Sequence, residues 1–393
     1  MDIIYLDNNA TTRVDPEVVQ EMLPYFHELY GNPSSMHSFG GEVGNKIAAA
    51  REQTSRLLGA KPEEIIFTSC GTESDSTAIW SALQTRPDKK HFVTSRVEHP
   101  AVKNLFEHLA QQGYRVTYVP VDAQGRLDRD YLSASLTDDT ALVSLMWANN
   151  ETGVIFPIQE IAEEVKEKGI LFHSDAVQAA GKIPVDMNTV QADMLSVSGH
   201  KIHAPKGVAA LYVRKGTKFS PFLIGGHQEW GRRGGTENTA QIIGFGKACE
   251  LALSRLESGE GDIQKLRDHL EQNILSGISK VMVNGETENR LPNTSSISFE
   301  FIEGESILLM LDKFGICASS GSACTSGSLE PSHVLRAMGV PYTAAHGSIR
   351  FSLSHYTTRE EIDYVLQKLP PIIERLRTMS PFWAEHQRSC GVV

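Results

Sequence analysis

Short apolar runs alternate with segments of helical period along this chain. Ile65 to Thr68, Phe92 to Ser95, Val116 to Val119, Ala141 to Met146, Ile170 to His173, Met194 to Val197 and Val208 to Val213 read as strands. Helical patterns fall between most of them, as at Pro157 to Lys168 with Gly169 as a C-terminal stop. Strands separated by helices predict an α/β fold, a mostly parallel sheet wrapped on both faces. The last two strands are too close for a crossover helix, so they are expected to pair antiparallel and make the sheet mixed. A long helix, Thr239 to Leu256, precedes the composition shift SGEG at 258–261, read as a domain boundary. The remainder mixes helix and strand and closes on a helix opened by a capping box of Thr358 and Glu361.

In an open α/β sheet, ligands sit beyond the carboxyl ends of the strands, so the residues following each strand carry the chemistry. After the first strand comes SCGTESDS, 69–76, where Gly71 and Thr72 open a helix whose amides suit a phosphate, or where Thr72 or Ser74 merely caps it. After the second comes His99, at a strand-to-helix turn. WANNETG, 147–153, offers Asn149 for a polar ligand edge or for a turn. HSDAVQ, 173–178, places Asp175 and Gln178 on a new turn. The stretch around SGHK ends a buried strand on Ser198, His200 and Lys201. A lysine near a buried sheet loses hydration, which lowers its pKa, and a neutral amine condenses with aldehydes. Lys206 is the second candidate for that role. One ligand accounts for the set: pyridoxal phosphate, with its phosphate at Gly71, Thr72, Ser198 and His200, its ring nitrogen at Asp175 and its aldehyde at Lys201.

Composition narrows the partners. The 393 residues are 40% hydrophobic and 22% charged, the balance of an ordinary globular protein of about two domains. A net charge of −11 with no basic block argues against nucleic acid. No run reaches membrane-spanning length and the first residues lack a signal-peptide pattern, so a cytoplasmic protein with no membrane association is expected. Five cysteines, at 70, 249, 317, 324 and 390, show no metal-site or disulfide spacing, and no metal is expected. Cys324 lies in SSGSACTSGS, with little to pack, and is expected to be exposed and reactive. Cys70, Cys249 and Cys317 are expected to be inert core residues, and Cys390 lies in the tail.

The motifs YLDNNATT (5–12), YGNPSS (30–35), TSCGTES (68–74), VEHPAV (97–102), WANNETG, HSDAVQ, SGHK (198–201), RRGGTEN (232–238), SSGSACTSGSLEPSHVL (319–335) and SIRFSLS (348–354) together resemble those of NifS-type cysteine desulfurases. These are fold-type I pyridoxal phosphate enzymes, similar to aspartate aminotransferase. The resemblance implies a mostly parallel, mixed seven-stranded sheet in a large cofactor-binding domain, residues 16–257. A smaller α+β domain would comprise 1–15 and 258–393. It implies that Lys201 carries the cofactor, that Gly71, Thr72, Ser198 and His200 hold the phosphate, and that Asp175 meets the ring nitrogen. Asn149 and Gln178 would contact the phenolic side, Asn149 also facing the substrate, and His99 would stack on the ring and transfer protons. Thr236 would reach the phosphate of the other subunit of a homodimer, and Arg350 would grip the substrate carboxylate. Cys324 would take sulfur from L-cysteine as a persulfide, leaving alanine, on a mobile loop from Ser319 to His333. The DNNATT and RRGGTEN motifs resemble the nitrogen-fixation branch, with a NifU-type iron-sulfur scaffold as acceptor. The alternatives are a housekeeping desulfurase, a selenocysteine lyase or aminotransferase on the same cofactor, or a catalytically silent sulfur-transfer scaffold.

Overall fold

A computed structural model of the chain describes residues 3–259, 263–320 and 331–389. Cys324, Cys390 and most of the segment between Ser319 and His333 lie outside the described residues, as does part of the 258–261 shift. The main sheet has seven strands in the order Ile65–Thr68, Ala209–Val213, Met194–Ser198, Leu171–Asp175, Thr140–Met146, His91–Ser95 and Arg115–Val119. Ala209–Val213 runs antiparallel to both neighbours and the other pairings are parallel, so the expected hairpin and mixed sheet are present.

Both faces of this sheet are covered, which explains why its strands read as continuous apolar runs. Side chains alternate between two cores. Ile66, Phe92, Leu142, Leu171, Met194 and Leu211 pack with Ile79 and Phe106 on one side. Phe67, Val93, Val143, Phe172, Leu195 and Tyr212 pack with Val43, Ile161 and Phe245 on the other. Only the edge strand Arg115–Val119 is partly exposed.

Register sets the ends of the strands. Met146 pairs with Asp175, Asp175 with Ser196, and both Ser198 and Thr68 with Ala209. Four carboxyl ends therefore finish at one edge of the sheet, where the next segments turn away. The fifth strand runs two residues further than the sequence pattern suggested. Asp175 is thus the last strand residue rather than part of a new turn. Its polar character hid it from a reading of apolar runs, but the ladder to Met146 and Ser196 holds it in place.

A second, four-stranded antiparallel sheet orders Ser319–Ser320, Ser348–Ser352, Thr294–Phe299 and Val281–Val283. Its core joins Ile297, Phe299, Ile349 and Phe351 to Leu270, Leu311 and Leu369 from the helices Ile263–Gly277, Gly304–Asp312 and Arg359–Met379. Ile4–Tyr5 pairs with Ile316–Cys317, tying the amino end to this part of the chain. The capping box of Thr358 and Glu361 forms as the sequence suggests. Among the described residues no helix is long and apolar enough to cross a membrane, and no cluster of metal-ligating side chains occurs.

Candidate active site

The turn after Thr68 leads directly into the helix Gly71–Thr85, and no side chain caps its amino end. Cys70 is the capping residue and contributes only backbone, so neither Thr72 nor Ser74 satisfies the free amides; Ser74 instead bonds Thr68, hydroxyl to hydroxyl, at 2.7 Å. Gly71 is needed for close approach, because a Cβ there would come within 3.1 Å of Val177 and 3.6 Å of the Ser198 Cβ. Ser198 Oγ is buried without a hydrogen-bond partner among the described residues. An uncapped helix terminus facing an unpartnered buried hydroxyl is an anion site in waiting. His200 flanks it, its Nδ1 3.2 Å from Thr11 Oγ1. Desolvation first, and then the charge of Lys201, hold His200 down to a pKa of about 4, so its ring is neutral.

Next along the sheet edge stands Asp175, whose Oδ1 accepts the Val177 amide at 2.9 Å. Burial raises its pKa, while His99, that amide and Lys201 oppose the rise. Behind it lie two further buried carboxyls. Burial pushes Glu98 up to about 8, although Ser95 and the Met146 amide donate to its Oε1 at 2.6 and 3.1 Å. Asp75 is raised as well, by burial and then by the charge of Asp175. His173, held by Ser144 and Ser196 at 2.8 and 2.9 Å, is driven by burial down to about 3. His99 opens the helix Pro100–Gln111, and its Nδ1 accepts the Ala101 amide at 3.2 Å. That bond leaves the ring proton on Nε2 of the neutral imidazole. Desolvation lowers the pKa of His99 and Lys201 adds to this, against the pull of Asp175.

Lys201 ends the short 3₁₀ turn Gly199–Lys201, and its Nζ donates to the main-chain oxygens of Asn9 at 2.8 Å and Ala10 at 2.7 Å. Lys206, by contrast, is exposed. Gln178 Nε2 also donates to Asn9 O, at 3.0 Å. Asn149 is used by its own turn: its Oδ1 accepts the amides of Glu151 and Thr152 at 2.9 Å and its Nδ2 donates to Val97 O at 3.1 Å. Arg350, on the strand Ser348–Ser352, is 2% exposed; its Nη1 donates to Asn150 O at 2.9 Å and its Nη2 to Asp7 Oδ1 at 2.8 Å, while Nε has no partner. Thr236 is exposed, beside a small cavity of about 130 Å³ that Ser69, Glu229 and Arg233 also line.

The structure thus gathers Gly71, Ser198, His200, Lys201, Asp175, Gln178 and His99 at one sheet edge, with Arg350 approaching from the second sheet. Motif reading gave no role to Asp7 and Asn9 of YLDNNATT or to Lys182, which hold these residues. Two cysteine expectations are corrected: Cys70 is exposed and Cys317 half-buried, so of the three expected in the core Cys249 alone lies there. Cys70 leaves the core because it sits where the first strand ends and its helix begins.

The class-V aminotransferase family model matches residues 4–365. A cysteine desulfurase of Trichormus azollae is 62% identical over 97% of this chain and 96% of its own length. The cysteine desulfurase NifS of Azotobacter vinelandii is 60% identical over 97% and 95%. Among solved structures, a NifS-like protein superposes with a TM-score of 0.90 at 40% identity, covering 95% of this chain and all of its own. SspA in complex with cysteine gives 0.80 at 33%, over 90% of this chain and all of its own. The chain belongs to the class-V aminotransferases, and within them to the cysteine desulfurases.

Proposed function

We propose that this protein is a pyridoxal phosphate-dependent L-cysteine desulfurase supplying sulfur for iron-sulfur cluster assembly, with nitrogen fixation as its setting. The observation that carries the reading is the uncapped start of the Gly71–Thr85 helix against the unpartnered hydroxyl of Ser198, one strand from Asp175 and one turn from Lys201. A phosphate, a ring nitrogen and an aldehyde each find their partner there, so the residues fit the cofactor. When bound, pyridoxal phosphate supplies an electron-withdrawing ring that stabilises negative charge at the substrate α-carbon.

The chain's own residues do the rest. The amides of Gly71 and Thr72 with Ser198 hold the phosphate, and neutral His200 adds a hydrogen bond without a charge. Asp175, already close to Lys201 and His99 in its electrostatics, keeps the ring nitrogen protonated. Lys201 would hold the aldehyde of the cofactor through its Nζ, and that nitrogen with His99 would be the groups placed to move the substrate α-proton. His99 presents its Nε2 proton to the cleft. Arg350 receives the substrate carboxylate through its unpartnered Nε edge. Cys324 thiolate attacks the substrate sulfur: the S–S bond forms as the C–S bond breaks, the electron pair passes to the β-carbon, and protonation there gives L-alanine.

A homodimer is part of the reading. Phe222, Leu223, Ile224 and Trp230 are exposed beside the loop of Thr236, an apolar surface that a second copy would cover. Thr236 would then reach the partner's phosphate. The division into 16–257 and 1–15 with 258–393, a NifU-type scaffold as acceptor and a cytoplasmic location complete it. Incubation of the purified protein with L-cysteine and a thiol reductant tests the activity. Equal amounts of alanine and sulfide are expected, and sulfide with pyruvate in place of alanine would overturn the reading.

A further inference from the structure

Lys182 belongs to no motif, yet it lies closer to the chemistry than most residues that do. It follows Gln178 by one turn on the segment leaving Asp175, and its Nζ donates to Gln178 Oε1 at 2.5 Å and to Asn9 Oδ1 at 3.0 Å. Both acceptors are neutral. Desolvation, followed by the like charges of Lys201 and Arg350, holds its pKa well below the ordinary lysine value. With Lys201, His203, Arg255 and His355 it lines a cavity of about 240 Å³ behind Lys201. A lysine among like charges and, among the described residues, without a carboxylate partner is unfavourable for stability, which points to a use.

That use is visible in Asn9, which is 1% exposed and has every polar atom engaged. Its amide donates to Ser352 Oγ at 2.9 Å, and its Nδ2 to Thr294 Oγ1 at 2.8 Å and Asn150 O at 3.2 Å. Its Oδ1 accepts from Asn293 at 3.1 Å and from Lys182, and its carbonyl from Gln178 and from Lys201. Donation from Lys182, together with that from Asn293, fixes which way the side-chain amide faces. With that plane set, the main-chain oxygens of Asn9 and Ala10 converge on Lys201 Nζ. Two carbonyls at 2.7 and 2.8 Å accept hydrogens from this nitrogen and fix where it rests. Such a seat would hold the nitrogen in place whenever it does not carry the cofactor.

We propose that Lys182 is a positioning residue for Lys201: by clamping Asn9 and Gln178 it holds the carbonyl seat on which the Lys201 nitrogen rests whenever it is not bonded to the cofactor. The proposal rests on the reading of Lys201 as the cofactor-bearing lysine.

The experiment compares wild type, Lys182→Met and Asn9→Ser, each purified with pyridoxal phosphate. Borohydride reduction and peptide mass spectrometry first locate the cofactor. Label on Lys182 or Lys206 in wild type would overturn the reading of Lys201, separately from the seat. The unreduced proteins are then stripped of cofactor with hydroxylamine, and two rates are measured at neutral pH: acylation of Lys201 by a small amine-reactive reagent, and recovery of the visible cofactor band on adding pyridoxal phosphate. Loss of the seat is expected to speed acylation about fivefold, the worth of one net hydrogen bond, and to slow cofactor recovery by about as much, in both variants. Thermal midpoints of the stripped proteins control for folding, and Lys182→Gln replaces Lys182→Met should the latter not fold. Rates within twofold of wild type would overturn the proposal. So would slower acylation in Lys182→Met, since that outcome assigns Lys182 a charge effect alone.

Discussion

Arg350 Nη2 donates to Asp7 Oδ1 at 2.8 Å, which ties the arginine proposed for the substrate carboxylate to the same amino-terminal segment that seats Lys201. Because Nη1 donates to Asn150 O, the planar fork is held on two sides, and among the described residues its Nε has no partner. Arg350→Ala is expected to weaken L-cysteine binding by roughly 1.5 to 3 kcal/mol, a tenfold or greater rise in KM, with the cofactor band retained. Arg350→Lys should recover little of this, since one ammonium cannot replace a fork that meets three acceptors. An unchanged KM in either variant removes Arg350 from the substrate site.

Lys201 of SGHK and Lys206 separate by burial, the first half-buried and the second exposed. Lys201→Ala should lose the visible cofactor band and turnover together, whereas Lys206→Ala, changing an exposed side chain, should keep both. Absorbance spectra of the purified variants decide it, and loss of the band in Lys206→Ala alone would exchange their roles.

Much of this site is legible in the sequence because a doubly covered sheet leaves an unusually plain pattern. The strands are mostly apolar on both faces, so the polar residues at or just beyond their ends, such as Ser198 and His99, stand out. Asp175 shows the limit of that rule: a buried carboxylate inside the ladder looks like a turn. Asn9 and Lys182 were not legible, because their roles arise from contacts between positions 9, 182, 201 and 293, which no local periodicity connects. Cys70 misled for a related reason, since an apolar neighbourhood in sequence does not fix the exposure of a helix cap.

Glu98 gives the pH dependence of stability a distinct sign. Its carboxyl, pushed up to about 8 mainly by burial, keeps its proton in the folded chain at pH values where the unfolded chain has lost it. The folded state then binds more protons, so this contribution is complete below about pH 4.5 and is lost as the pH rises through about 8. Urea midpoints of wild type and Glu98→Gln should therefore converge or cross as the pH goes from 5 to 8.5, the variant gaining relative to wild type. Parallel curves would show that Glu98 is ionised in the fold.

If Thr236 completes a neighbour's phosphate site, light scattering should give about twice the chain mass of 43.3 kDa. Thr236→Ala should remain dimeric yet release pyridoxal phosphate more readily, by the roughly 1.5 to 3 kcal/mol of a hydrogen bond to a charged group. A monomer with full activity contradicts the shared site.

The central claim is that sulfur leaves L-cysteine as a persulfide on Cys324, and one single-turnover measurement addresses it. Protein loaded with pyridoxal phosphate is mixed with one equivalent of L-cysteine without reductant, then digested for mass spectrometry while alanine is quantified. The account expects one sulfur atom added to the Cys324 peptide for each alanine formed, and neither product in Cys324→Ala. Alanine formed with the added sulfur on Cys70, Cys317 or Cys390, or persisting in Cys324→Ala at the wild-type yield, would contradict it.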